Sequence, residues 1–250
     1  MDEVDGGLFF KPRWPAPEGV RALSTLRCGG CSAAPRDSLN LAEHTGDDPS
    51  AVAANRHLLR TRAGLPAEPV WLEQVHGTEV VAAHRVAPGA RADAAWTDRA
   101  GVVCAVLTAD CLPVLLAAGD GRAVAAAHAG WRGLAAGILE AVVAALPVPA
   151  GELHAWLGPA IGPDAFEVGP EVAEALRARD PAAAEGLTPA AGDRWYADLY
   201  SLARSRLRQA GVTSVHGGGW CTHTDRARFF SHRRDGSTGR MASLIYREEP

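Results

Sequence analysis

Three stretches in the middle of the chain, Val102–Leu107, Leu112–Ala117 and Ala123–Ala127, are apolar at nearly every position and are separated only by short segments carrying Asp or Gly. A strand with one wet face alternates apolar and polar residues, whereas a strand apolar on both faces needs cover on both. The sequence therefore demands sheet held inside the molecule. Val70–Val75 and Glu79–Ala83 precede these runs and read as further strands. Leu8–Phe10, followed by Ala22–Arg27, opens the chain, and Ser214–His216 and Ala242–Tyr246 close it.

The cover comes from helices. Asp48 and Pro49 open one, as N-cap and first helical residue, and Gly64 stops it. Leu134–Leu146 places Leu134, Ile138, Leu139, Val142 and Leu146 at near-helical spacing before Pro147 ends the run. Pro170–Arg179 and Ala197–Ala210, the latter stopped by Gly211, are two more. Strands outnumber helices and several neighbours have short connections, which favours mixed sheet sandwiched by helices over a strict βαβ winding. No linker, charge block or internal repeat divides the 250 residues, so 1–250 reads as a single domain.

Composition excludes several functions. Lys11 is the only lysine, which removes any P-loop and any interior Schiff-base lysine and leaves arginine as the anion-binding side chain. A net charge of −4 offers no basic field for a phosphate backbone, so no nucleic-acid partner is expected. Gly101–Gly119 is broken by Asp110 and Pro113 and makes a poor bilayer span, so no membrane partner is expected either. The acidic start Met1–Asp5 lacks the basic and apolar regions of a signal peptide, which predicts a cytoplasmic protein. Five cysteines, an odd number, read as reduced thiols that pack, react or bind metal.

Three segments end a predicted strand with a metal-ligand side chain: Glu73-Gln74-Val75-His76-Gly77, Thr108-Ala109-Asp110-Cys111-Leu112-Pro113 and Ala127-His128-Ala129-Gly130-Trp131-Arg132-Gly133. Two imidazoles and a thiolate suit zinc or copper, and three protein ligands with a fourth position open is the arrangement of a catalytic zinc. The plainer alternative is that the histidines cap turns and the cysteine packs as a small hydrophobe. Only a fold that gathers three strand ends could join them.

The chain resembles the multicopper polyphenol oxidase, or laccase-domain, family of purine nucleoside phosphorylases. The resemblance is carried in order by Arg27-Cys28-Gly29-Gly30-Cys31-Ser32, Ser38-Leu39-Asn40-Leu41, Val75-His76-Gly77, Ala109-Asp110-Cys111-Leu112-Pro113 and His128-Ala129-Gly130-Trp131-Arg132-Gly133. It continues through Gly158-Pro159-Ala160-Ile161-Gly162, Phe230-Ser231-His232-Arg233-Arg234-Asp235-Gly236 and Thr238-Gly239-Arg240. It implies a four-layer α/β/β/α sandwich of the α+β class with mixed sheets. It also implies zinc (Zn2+), with copper (Cu2+) able to substitute, on His76, Cys111 and His128, which are then the catalytic centre. The implied activity is phosphorolysis of adenosine, inosine and S-methyl-5′-thioadenosine to free base and sugar 1-phosphate, with adenosine deaminase activity alongside. Purine nucleosides and phosphate are the implied partners, and the chain is expected to act as a monomer.

Substrate binding is expected of Asn40, Arg132 and Arg234. Arg132 stands where a strand gives way to the helix expected near Leu134, a place for an anion, although a surface carboxylate could equally take it. Arg27, Arg233, Asp110 and Gln74 are further candidates that could instead satisfy backbone groups or turns. Cys28-Gly29-Gly30-Cys31, His232 and Ala42 depart from the family's usual residues. Three other functions compete: an amide hydrolase editing UDP-muramyl-L-serine peptidoglycan precursors, a copper polyphenol oxidase, and a zinc-clipped interaction module with Cys104 or Cys221 as fourth ligand. With no G-x-S-x-G elbow or evident Ser/His/Asp set, the activated nucleophile is expected to be an oxygen species held by metal or arginine. The rival is a Cys111/His128 thiolate–imidazolium pair.

Overall fold

The computed structural model describes residues 3–5, 7–179 and 185–249; Met1 and Asp2 of the acidic start lie outside them. The first half runs β1 (Glu3–Asp5), β2 (Phe9–Lys11), β3 (Val20–Thr25), α1 (Pro49–Ala63), β4 (Val80–Ala82), β5 (Ala94–Thr97), β6 (Val103–Thr108), β7 (Leu112–Ala118) and β8 (Val124–Ala129). The second runs α2 (Trp131–Ala136), α3 (Ile138–Ala145), β9 (Leu153–Leu157), β10 (Glu167–Val168), α4 (Pro170–Arg179), β11 (Leu187–Pro189), β12 (Trp195–Ala197), α5 (Leu199–Gln209), β13 (Ser214–Gly217), α6 (His232–Asp235) and β14 (Met241–Arg247).

Two large sheets form, one ordered β1-β2-β3-β14-β6 and antiparallel throughout, the other ordered β13-β9-β7-β8-β5-β4 with parallel pairs at both edges. They stack face to face. Along β7, Leu112, Val114 and Leu116 pack toward α2, α3 and α5 while Leu115 and Ala117 enter the layer between the sheets. Along β6, Cys104 and Val106 enter that same layer while Val103, Ala105 and Leu107 pack with Leu59 of α1. The layers are thus α/β/β/α, and the runs apolar on both faces are strands covered on both. Burying each such Leu or Val side chain contributes about 1.5–3 kcal/mol.

The termini of α1 follow the local signals. Asp48 accepts a hydrogen bond from the Ser50 N–H, and Gly64 adopts φ 61 as the left-handed cap. The helix expected over Leu134–Leu146 is instead two helices, the first starting at Trp131, parted by Gly137 at φ 101. The apolar periodicity crosses the break unaltered; the glycine turns the chain. Val70–Val75 is not a strand. Among the described residues only two isolated bridges, Val70 with Cys104 and Glu73 with Arg91, fall within it. Strands β5 and β9 and the small sheet β10-β12-β11 were not expected from the sequence. Among the described residues, no helix is long and apolar enough to cross a membrane.

Candidate metal centre

The start of β7, the end of β8 and the loop before β4 meet at one end of the central strands of the six-stranded sheet. Cys111 immediately precedes β7, and His128 lies on β8, paired in register with Pro113. His76 arrives on the loop with φ 61, a left-handed conformation that a residue with a Cβ adopts only when its surroundings enforce it. The enforcing group is Asp93. Its fully buried carboxylate accepts the backbone N–H groups of Val75 (3.2 Å), His76 (2.9 Å) and Gly77 (2.6 Å).

Asp93 also sets the orientation of His128. The His128 backbone N–H reaches the Asp93 carbonyl at 2.7 Å, and Nδ1 lies 2.8 Å from Oδ1 of the same residue. A carboxylate can only accept, so Nδ1 carries the proton and Nε2 is left for a ligand. Burial pushes the Asp93 carboxyl up, but the hydrogen bonds from His128 and the Gly77 N–H outweigh it and hold the group below the usual carboxylate range.

The ligand atoms of His76, Cys111 and His128 all lie within 4.8 Å of one another, with His76 Nε2 at 3.7 Å from Cys111 Sγ and the two imidazole rings edge to face at 4.7 Å. His76 is exposed, Cys111 half-buried and His128 buried, so the set opens to solvent on one side. Burial pushes the Cys111 thiol up and the His128 imidazole down, yet each is the other's counter-charge. The thiol falls to about 6 and the imidazole rises to about 9. A thiolate and two imidazoles, one oriented from behind by a carboxylate, fit a soft or borderline divalent metal with a position to spare. Gly130 keeps the site open, since a Cβ there would sit 2.9 Å from Cys111 Sγ and 3.0 Å from His76 Cδ2.

The cluster stands at the waist of a cleft with two lobes. On one side, Trp131, Ile161, Phe166 and Leu199 give a mainly apolar lobe that Asp110 and Arg233 also line. On the other, His44, Arg132 and Arg240 give a basic lobe with no carboxylate in its lining. His76, Cys111, Arg132 and His232 border both.

The other expected residues divide sharply. Arg132 reaches the cleft, exposed and stacked on Trp131 at 4.4 Å, but from inside the first turn of α2 rather than ahead of a helix. Asn40 is fully buried, giving its amide to the Ala42 carbonyl, Thr45 and Asp47 and accepting the Ala42 and Arg240 N–H groups. Arg234 spends its guanidinium on the carbonyls of Thr222, His223 and Phe229 and on Asp235. Neither borders the cleft. Arg27 caps the Asp37 carbonyl and lies over Phe230. Asp110, at φ 92, clamps the Thr222 hydroxyl and the Arg233 N–H, tying the Cys111 turn to the C-terminal segment. Gln74 pairs with both backbone groups of Leu107 and does a strand's work from a side chain.

Among the described residues only one His/Cys/acid group could hold a metal, and neither Cys104 nor Cys221 belongs to it. Cys104 is buried in the sheet core, and Cys221 accepts the Gly162 N–H. Cys28 and Cys31 lie exposed beside the Ala227 carbonyl and Asn55. Sequence reasoning missed Asp93, whose signal was an acid heading an apolar run, Ala92-Asp93-Ala94-Ala95-Trp96, with no turn residue beside it. It also gave no role to His44 or Arg240.

Residues 21–248 match the family model described as multi-copper polyphenol oxidoreductase laccase. The chain is 56% identical over 244 residues to a purine nucleoside phosphorylase of Pseudomonas aeruginosa, covering 96% of this chain and 99% of the relative. It is 52% identical over 236 residues to the purine nucleoside phosphorylase YfiH of Escherichia coli, covering 94% and 97%. Among solved structures, a Neisseria meningitidis protein superposes with a TM-score of 0.93 at 49% identity, over 96% of this chain and 99% of that one. YlmD of Geobacillus stearothermophilus superposes with a TM-score of 0.93 at 32% identity, over 100% and 99%.

Proposed function

The chain belongs to the multi-copper polyphenol oxidoreductase laccase family, and on that premise we propose that it is a purine nucleoside phosphorylase whose catalytic metal sits on His76, Cys111 and His128. The observation that carries this reading is the two-lobed cleft. Phosphorolysis needs an apolar, aromatic place for a purine and a cationic place for phosphate, with the ribose between them. Trp131 and Phe166 supply the first and Arg132 and Arg240 the second, with His76 and Cys111 at the waist. The names of the Pseudomonas aeruginosa and Escherichia coli relatives support the substrate class.

Zinc is the metal we assign, with copper able to substitute, because one thiolate and two imidazoles suit both. When bound, the metal supplies a Lewis acid at the waist and lowers the pKa of a coordinated water, which also accommodates deamination of adenosine. The chain's own residues do the rest. Asp93 holds His128 in the tautomer that offers Nε2 and fixes the His76 loop, Trp131 and Phe166 exclude water from the base, and the arginines hold the anion. Adenosine, inosine and S-methyl-5′-thioadenosine are the proposed substrates, handled in the cytoplasm by a monomer.

A second reading has its own observation. Cys111, His128 and Asp93 form a thiolate–imidazolium–carboxylate series, the arrangement of a covalent amide hydrolase. His76, 3.7 Å from the same sulfur, has no part in such a relay and favours the metal. Incubation with each nucleoside, with and without phosphate, tests the proposal by the release of free base and sugar 1-phosphate. Phosphate-dependent release is expected; its absence for all three nucleosides overturns the reading.

A further inference from the structure

We propose that Arg240 is the anchor that fixes inorganic phosphate, in the basic lobe that adjoins the purine's lobe at His76 and Cys111, and that Asn40 is the residue that positions it. The inference rests on the phosphorylase reading and adds to it a subsite, its ligand and the order of the two lobes along the reaction axis.

Three observations converge. The first is the state of the guanidinium. Nη1 donates to the Thr238 and Gly239 carbonyls at 2.9 and 3.0 Å, while Nε and Nη2 carry no partner among the described residues and Arg240 joins no ion pair there. A part-buried guanidinium with one nitrogen tied down and an edge left over is a fork aimed before its ligand arrives. Arg234, a few residues earlier, is the contrast, with its donors consumed by carbonyls and Asp235.

The second is how rigidly Arg240 is held. Its N–H donates to Oδ1 of fully buried Asn40 at 3.0 Å, and Asn40 is fixed in turn by Thr45 and Asp47. Gly239 lies so close to Phe230 and Asn40 that a Cβ there would meet the ring at 2.7 Å and Asn40 Cβ at 3.0 Å. The backbone that launches the side chain therefore has little freedom. Arg132, exposed and stacked on Trp131, has no comparable tether among the described residues.

The third is charge. His44, Arg132 and Arg240 line the lobe without a carboxylate among them, and the one thiolate in its lining, Cys111, is countered by His128, so an anion entering the lobe meets a net positive wall. Displacement at the anomeric carbon requires the attacking oxygen and the departing purine on opposite sides of the sugar, and the basic lobe adjoins the apolar one across the lining they share, His76, Cys111, Arg132 and His232. A hydrogen phosphate oxygen forms the bond to C1′. The C1′–N bond breaks with its electron pair on the purine nitrogen, and that nitrogen takes the proton the phosphate brought.

The test is phosphate binding to the metal-loaded protein, followed by calorimetry or by 31P line width with inorganic phosphate alone, in wild type, Arg240→Gln, Arg240→Lys and Arg132→Gln. Inosine binding is followed in parallel through Trp fluorescence. Removing a charged, bidentate donor is expected to weaken phosphate binding by roughly tenfold or more in Arg240→Gln. Arg240→Lys recovers part of the loss because it keeps charge without the fork, and inosine binding stays at the wild-type value in both. Wild-type phosphate affinity in Arg240→Gln, with the loss in Arg132→Gln instead, overturns the assignment, as does a wild-type protein that binds no phosphate. If phosphate binding follows Arg240 while the wild type releases no purine, the subsite stands and the phosphorylase reading is what fails.

Discussion

One carboxylate, that of Asp93, binds the Nδ1–H of His128 at 2.8 Å while gathering the three backbone N–H groups that fold the His76 loop. Two of the three candidate ligands, on different elements, are thereby placed by a single buried residue that is not itself one of them. Asp93→Asn retains the volume but gives an amide one acceptor oxygen where four donors converge. Metal affinity, measured by competition with a chromogenic chelator, is expected to fall about 10–100-fold, the usual cost of losing the group behind a ligating histidine. Wild-type affinity in this variant would mean that His128 and His76 are oriented by something else.

The pairing of Cys111 and His128 predicts a proton count. In the metal-free chain the thiol lies at about 6 and the imidazole at about 9, so between those values the pair is thiolate and imidazolium. Metal binding requires neutral His128. From about pH 7 to 9 the pair therefore gives up one proton per metal bound, and affinity rises with pH; above about pH 9 it gives up none and the rise stops. Calorimetry of zinc binding in buffers of different ionisation enthalpy reads this number directly. Release from the pair that is already zero at pH 8 would contradict the raised His128.

Gly130 predicts a steric lesion at the metal site alone. Its Cβ in Gly130→Ala would press on Cys111 Sγ at 2.9 Å and His76 Cδ2 at 3.0 Å, while its φ of −68 suits any residue. The ligands must spread, so zinc should bind more weakly, with thermal unfolding of the metal-free protein little changed. A variant that binds zinc normally would show that the cluster has room the geometry denies.

The three candidate ligands stood out in the sequence because thiol and imidazole side chains are scarce and each follows or opens an apolar run, although His76 proves to lie on a loop and not at a strand end. Asp93 did not, because an acid that supplies hydrogen bonds rather than a ligand leaves no spacing signature. Val70–Val75 misled because composition does not reveal where backbone groups go: Val75 donates to Asp93, and the Gln74 side chain replaces a strand partner for Leu107. The helix over Leu134–Leu146 misled for the opposite reason, since Ile138, Leu139 and Val142 continue the apolar face past the turn at Gly137. Arg234 and Arg240 look alike in a motif. What separates them is how many carbonyls stand around each guanidinium, a property of folded loops.

The most direct test of the metal-centred phosphorylase is metal content and turnover read on the same samples of wild type and Cys111→Ala. Wild type is expected to carry one zinc per chain and to release hypoxanthine from inosine only when phosphate is present. Cys111→Ala, folded by circular dichroism because the core is packed independently of the site, is expected to lose both the metal and the release. Phosphate-dependent release that persists in metal-free Cys111→Ala would contradict the account.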